Sequence, residues 1–219
     1  MQSTWGAIFD WDGVVIDSSR HHEESWERLA REVGKPLPEG HFKKGFGMKN
    51  EWIIPNLLQW TDDAAEIHRI SLRKEALYRE IVLEWGIDPL PGIVAWLSAL
   101  KNAGIPRVIG SSTHRLNIEV TLDKLGLRDA FVAIVSAEDV TAGKPDPQVF
   151  LKAAGKVGIQ PENCIVFEDA HVGIEAAHRA GAKVIAVATT NPLAELGKAD
   201  LAVNSLEELT IEKAAALFL

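Results

Sequence analysis

Two aspartates separated by a single residue, Asp10 and Asp12, close an apolar run and are followed at once by Gly13. Carboxylates at this spacing can divide a phosphoryl transfer between them. One attacks phosphorus and forms an aspartyl-phosphate, while the other exchanges a proton with the departing oxygen. That division requires different surroundings, so that one carboxyl stays ionised and the other holds its proton. Gly13 permits the sharp turn through which backbone approaches an anion. Further along, Ser111-Ser112-Thr113, Gly143-Lys144-Pro145 and Glu168-Asp169 add hydroxyls, one ammonium and two more carboxylates. Acidic groups brought together repel one another unless a cation neutralises them, and magnesium, which prefers oxygen ligands, suits this set. Lys144 and Ser111 have the charge and the hydrogen bonds that stabilise a phosphoryl group as it moves.

Something must bring these clusters together. Each key cluster follows or neighbours an apolar run with the character of a buried strand: Trp5 to Phe9, Arg107 to Gly110, Phe131 to Val135 and Cys164 to Phe167, with a fifth at Val184 to Val187. Helix-patterned segments lie between them, near 93–103, 116–125, 147–157 and 172–180, and Gly104, Gly126, Gly158 and Gly181 stand where such helices end. Strands alternating with helices predict a parallel sheet covered on both faces, and the unbroken apolar runs agree. Ligands of such sheets bind beyond the carboxyl ends of the strands, which is where the polar clusters fall.

Residues 18–87 break the rhythm. They hold no strand pattern but carry helical stretches near 23–33, 51–59 and 64–85, and Pro89-Leu90-Pro91-Gly92 marks the return. The expected architecture is α/β: a Rossmann-like parallel-sheet core from residues 1–17 and 88–219, interrupted by an inserted all-helical cap domain over 18–87.

The 219 residues carry a formal net charge of -8, which argues against a nucleic-acid-binding surface but leaves room for a small anionic substrate held by a few local groups. No apolar stretch approaches the roughly 20 residues that span a bilayer. The start Met1-Gln2-Ser3-Thr4-Trp5 lacks the basic and apolar run of a signal peptide, and the single cysteine, Cys164, has no partner for an internal disulfide. A cytoplasmic protein without nucleic-acid or membrane partners is expected. There is no G-x-x-x-x-G-K-[ST] loop of the nucleotide-binding kind.

The segment Asp10-Trp11-Asp12-Gly13-Val14-Val15 resembles the first signature of the haloacid dehalogenase superfamily, whose phosphatase members carry D-x-D-G-x-x. Ser111, Lys144 with Pro145, and Glu168-Asp169 resemble its second, third and fourth motifs, in order and over nearly the whole chain. Gly143-Lys144-Pro145-Asp146-Pro147 and Val166-Phe167-Glu168-Asp169-Ala170, followed by Gly173-Ile174, are similar to the subfamily of small phosphatases that includes β-phosphoglucomutase, which carries a helical cap after the first motif. The resemblance implies that Asp10 is the nucleophile and a magnesium ligand. Asp12 would be the general acid and base, with its main-chain carbonyl on the metal. Ser111, Ser112 and Lys144 would bind phosphate, and Asp169 would complete the Mg2+ site, with Glu168 contributing through water or hydrogen bonds. It further implies a monomer acting on a small phosphorylated metabolite, a sugar phosphate among the candidates. Asp12 favours phosphate esters, because dehalogenases proper lack this second aspartate and phosphonate-cleaving relatives carry alanine there.

In the insertion, His22 aligns with a histidine near the hinge into the cap, and Gly47-Met48-Lys49-Asn50 falls at the loop that selects substrate. Mutases place an arginine on the second phosphate where this chain has Asn50, which implies hydrolysis rather than isomerisation. The rival readings are a β-phosphoglucomutase-like phosphomutase and a catalytically silent metabolite-binding regulator; the complete set Asp10, Asp12, Lys144 and Asp169 speaks against the second. Plainer roles also exist for single residues. Ser111 can cap the helix beginning near His114, a role compatible with phosphate binding. Trp26, Trp52, Trp60 and Trp85 read as packing residues, and Cys164 as an inert buried thiol.

Overall fold

The computed structural model describes residues 5–45 and 48–219. Six parallel strands form one sheet: β1 Gly6–Phe9, β2 Arg107–Gly110, β3 Ala133–Val135, β4 Cys164–Glu168, β5 Lys183–Val187 and β6 Leu201–Val203, in the order β3-β2-β1-β4-β5-β6. The chain builds outward on one side of β1 and then crosses to build outward on the other. The order therefore reverses beside β1, and the crevice of such a sheet opens at the carboxyl ends at that point.

Alternate residues of each strand serve opposite faces. Ile8, Val108, Val166 and Val184 are fully buried in one cluster with Phe150, Ala153, Ile174 and Ala177. Phe9 and Phe167 stack with centroids 4.5 Å apart; Phe131 meets the edge of Phe9 at 5.7 Å and Trp96 that of Phe167 at 5.9 Å. Both faces are apolar, so the strand sequences show no alternation. Each such side chain contributes roughly 1.5–3 kcal/mol by leaving water.

The contacts divide the chain into two compact units, one running through Asp17 and resuming over Asp88–Leu219, the other Ser18–Ile87. The second is all helical, with α1 Ser19–Val33, α2 His41–Gly45, α3 Asn50–Trp52 and α4 Ala64–Trp85. A π-type turn, Ile53–Leu57, follows α3 and contains Pro55. Trp26, Leu29, Ile54, Trp60, Ile70 and Leu77 form its core. Asp63 caps α4 by accepting a hydrogen bond from Glu66 N at 2.8 Å. Arg73 on α4 pairs with Glu32 of α1 at 2.6 Å, and Arg28 of α1 with Glu84 of α4 at 2.8 Å.

Two tryptophans depart from the packing expectation: Trp52 is 43% exposed and Trp85 47%. Trp85 ends its helix, where the guanidinium of Arg28 covers its ring at 5.8 Å. The remaining helices, α5 Ile93–Asn102, α6 Arg115–Leu125, α7 Gln148–Val157, α8 His171–Arg179 and α9 Ile211–Ala215, belong to the sheet unit. No helix among the described residues is long and apolar enough to cross a membrane.

Candidate active site

Asp10 follows β1 directly, and its N–H donates to Phe167 O at 3.0 Å, which prolongs the β1–β4 pairing by one step. Ser111 follows β2 in the same way, donating to Val135 O at 2.9 Å. The nucleophile candidate thus stands at the end of a central strand, level with Glu168, the last residue of β4. Next in the chain, between Asp10 and Asp12, Trp11 turns inward: it is fully buried and meets Phe131 edge-on at 6.4 Å. A tight turn follows, with Gly13 N donating to Ile16 O at 2.7 Å.

Lys144 comes from the loop ahead of α7, preceding a cis peptide to Pro145. Its side chain is 6% exposed, with Nζ 3.0 Å from Asp10 Oδ1 and 2.6 Å from Glu168 Oε1. The other oxygen of Glu168, Oε2, accepts the N–H groups of Asp169 at 2.7 Å and Ala170 at 2.8 Å, immediately before α8. A fully buried carboxylate is tolerable only when paired and hydrogen-bonded in this way. Gly173 leaves it room, since a Cβ there would stand 1.6 Å from Oε1.

Asp169 is held from the loop after β5. Its Oδ2 accepts the hydroxyl of Thr190, and its carbonyl accepts Asn191 Nδ2 at 2.9 Å. Gly13 adopts φ of 79°, and a Cβ on it would lie 1.9 Å from Asp169 Oδ2. The glycine of the D-x-D-G segment is therefore required twice, by its own turn and by the carboxylate packed against it. Asp12 Oδ2 accepts the hydroxyl of Thr113.

The electrostatics follow from crowding. Burial pushes the Asp10 carboxyl up to about 7; the Lys144 ammonium opposes the rise, while Glu168 and Asp12 add to it. Asp169 is raised well above the usual carboxylate range, first by burial and then by Glu168 and Asp10. Burial would depress Lys144, but Asp10 and Glu168 together outweigh it and hold the ammonium charged. Burial also pushes the Cys164 thiol up to about 11, in keeping with an inert core residue. One ammonium faces three carboxylates. Oxygens of Asp10, Glu168 and Asp169 lie within 4.8 Å of one another, and buried Asp10 Oδ1 accepts no aligned hydrogen bond. An all-oxygen set with excess negative charge fits a magnesium ion.

The structure thus gathers Asp10, Asp12, Ser111, Lys144, Glu168 and Asp169 at one edge, with Ser112 half-buried in the same loop. The insertion's candidates lie within the helical unit. His22 stacks on Tyr78 at 4.1 Å, with Nδ1 2.7 Å from Lys74 Nζ. Lys49 precedes α3, and buried Asn50 turns its amide to Glu75 Oε1 at 2.6 Å and Ser71 Oγ at 3.1 Å. Gly47 lies outside the described residues. Sequence reasoning missed Thr190 and Asn191, and it named Thr113 and Gly173 only as members of their segments, without a role of their own. The rule that polar residues after a strand matter, applied to the fifth apolar run as to the others, would have reached Thr190 and Asn191.

A family model described as haloacid dehalogenase-like hydrolase matches residues 6–181. The chain belongs to this family. It is 40% identical over 209 residues to the chloroplastic 5-amino-6-(5-phospho-D-ribitylamino)uracil phosphatase of Arabidopsis thaliana, covering 94% of this chain but only 56% of that longer protein. It is 33% identical over 213 residues to the β-phosphoglucomutase of Bacillus subtilis, covering 94% of this chain and 91% of the relative. Among solved structures, a family IA, variant 3 hydrolase of the haloacid dehalogenase type from Entamoeba histolytica superposes with a TM-score of 0.89 at 32% identity, covering 100% of this chain and 99% of that one. The matched structure shares this chain's α/β fold, a Rossmann-like parallel-sheet core with a helical insertion, and the hydrolase and phosphatase names among the matches support a phosphoric monoester hydrolase of the family.

Proposed function

We propose that this protein is a magnesium-dependent phosphatase that hydrolyses a small phosphorylated metabolite, with sugar phosphates as the leading class, through a phospho-Asp10 intermediate. The observation that carries the reading is the buried contact of Asp10 with Lys144 at 3.0 Å beside the oxygens of Glu168 and Asp169. In the first half-reaction an Asp10 carboxylate oxygen attacks phosphorus, the ester P–O bond breaks, and Asp12 gives its proton to the leaving oxygen. In the second, Asp12 as carboxylate takes a proton from water, the water oxygen bonds to phosphorus, and the Asp10–phosphorus bond breaks. Lys144 and Ser111 hold the phosphoryl oxygens, and Glu168 keeps Lys144 in place. Asp10, Asp169 and the Asp12 carbonyl would hold magnesium, with Glu168 behind them; when bound it supplies positive charge against the phosphoryl oxygens.

A phosphomutase remains the second reading, because the Bacillus relative is named as one. The inward amide of Asn50, at the position where mutases of the resembled subfamily grip a second phosphate, supports hydrolysis instead. Phosphate release from a panel of phosphorylated metabolites, with magnesium or EDTA, tests the reading. Release should require magnesium and vanish in Asp10→Asn and in Asp12→Asn. Turnover retained by Asp10→Asn would remove the covalent route, and isomerised product without free phosphate, in the presence of a sugar bisphosphate, would establish the mutase.

A further inference from the structure

We propose that Thr113 is a positioning residue for Asp12, fixing which of its two carboxyl oxygens exchanges the proton; the inference rests on the acid and base role given to Asp12 above. The Thr113 hydroxyl donates to Asp12 Oδ2. A carboxyl oxygen that receives a donor is the acceptor oxygen, so the exchangeable proton resides on Oδ1. Oδ1 then protonates the leaving oxygen as the ester bond breaks, and takes the proton of the attacking water in the second half-reaction. Oδ2 remains the anchored oxygen in both.

The loop after β2 is built to hold that hydroxyl still. Thr113 O accepts Ala137 N at 3.1 Å, and Thr113 N donates to Ser111 Oγ at 3.3 Å. Arg115 N donates to the Glu138 carboxylate at 3.1 Å, and Arg115 Nη2 to Asp139 Oδ2 at 2.6 Å and Ile134 O at 3.1 Å. Asp139 is fixed in turn by Ser136 N at 2.8 Å and Ser136 Oγ at 2.9 Å. The segment after β2 is thus braced against the turn after β3.

The juxtaposition also has a period. Ser111 hydrogen-bonds Asp10 and Thr113 hydrogen-bonds Asp12. Two hydroxyl residues two apart serve two aspartates two apart, on the extensions of neighbouring parallel strands. An acid group displaced by about 1 Å loses on the order of 100-fold in rate, which sets the scale for releasing such an anchor.

The test compares Thr113→Val, which keeps the shape and removes the hydroxyl, with Thr113→Ser, which keeps the donor. Two substrates are used with magnesium: an alkyl phosphate, whose leaving oxygen needs a proton, and p-nitrophenyl phosphate, whose phenolate leaves without one. For the aryl ester the pre-steady-state burst of nitrophenol reports the first half-reaction alone. Thr113→Val should lower kcat on the alkyl ester about 10- to 100-fold with KM within about 3-fold, a fraction of the full worth of a general acid. The aryl burst should stay within about 3-fold of the native rate, and Thr113→Ser should restore the alkyl turnover. The alkyl-to-aryl ratio does not depend on how much of a variant is folded, so a loss of active protein cannot imitate the effect. Equal slowing on both esters, or native alkyl turnover in Thr113→Val, would overturn the proposal while Asp12→Asn remained inactive. Native alkyl turnover in Asp12→Asn would instead overturn the role of Asp12, and the proposal with it.

Discussion

Alanine at position 173 adds one methyl group on which two effects of opposite sign meet. Gly173 lies in the first turn of α8, and helix propensity alone favours alanine by up to about 1 kcal/mol. The added Cβ would lie 1.6 Å from Oε1 and 1.9 Å from Cδ of Glu168, far inside contact distance. A free carboxylate would swing aside at little cost. Glu168 is fully buried and held by Lys144 at 2.6 Å, Asp169 N at 2.7 Å and Ala170 N at 2.8 Å, so any swing breaks hydrogen bonds to a charged group. Each is worth roughly 1.5–3 kcal/mol, and losing one or two outweighs the propensity gain. The net expectation is a loss of about 2–4 kcal/mol for Gly173→Ala, which lowers the thermal midpoint by about 5–15 °C in a chain of this size. Turnover should fall further than stability, because Lys144 loses the partner that fixes it beside Asp10. Thermal melts and phosphate-release kinetics on the same preparations read both quantities. A variant as stable as the native protein, or more so, with native turnover would show that Glu168 moves cheaply and that its burial does not hold the site together.

Thr190→Val removes the hydroxyl that Asp169 accepts, and should weaken magnesium binding about 10- to 100-fold, the usual cost of losing a partner behind a metal ligand. Calorimetric titration with magnesium measures this without substrate, and unchanged affinity would show that Thr190 does not orient Asp169. In EDTA, the Asp10 carboxyl keeps its proton up to about 7 when folded, against an ordinary value of 3.8. The folded state binds the extra proton, so the stability from this group is complete below about 4 and is lost as pH rises through about 7. Melts from pH 5 to 8 should show that decline in part flattened in Asp10→Asn, and stabilisation by magnesium should grow over the same window. A native pH profile in Asp10→Asn would place the titration elsewhere.

The site was legible where chemistry follows a strand. Asp10, Ser111 and Glu168 each end or follow an apolar run, and a parallel sheet delivers such positions to one edge whatever the details of packing. What escaped was shorter or less periodic. β6 is only three residues, Leu201–Val203, between Asp200 and Asn204, too few for a pattern to stand out. α2 and α9 have five residues each, little more than one turn. Gly173 stood out only as part of a resembled segment and its role stayed hidden, because its purpose is the space it leaves for a carboxylate five residues earlier. Trp52 and Trp85 read as packing residues because helical spacing does not reveal which face has a partner.

β1 is the central strand of the sheet, yet it is the first to be made. Its neighbours β2 and β4 begin only at Arg107 and Cys164, and the whole of Ser18–Ile87 intervenes. On the ribosome the strand that leads into Asp10 emerges long before either partner exists, whereas the helical insertion has its own apolar core within one continuous stretch. The sheet unit, which holds the candidate site, is therefore completed late, from the segments on either side of the insertion. A chain cut short before β4 leaves the apolar run ahead of Asp10 with an open edge, exposed to misassociation while synthesis proceeds.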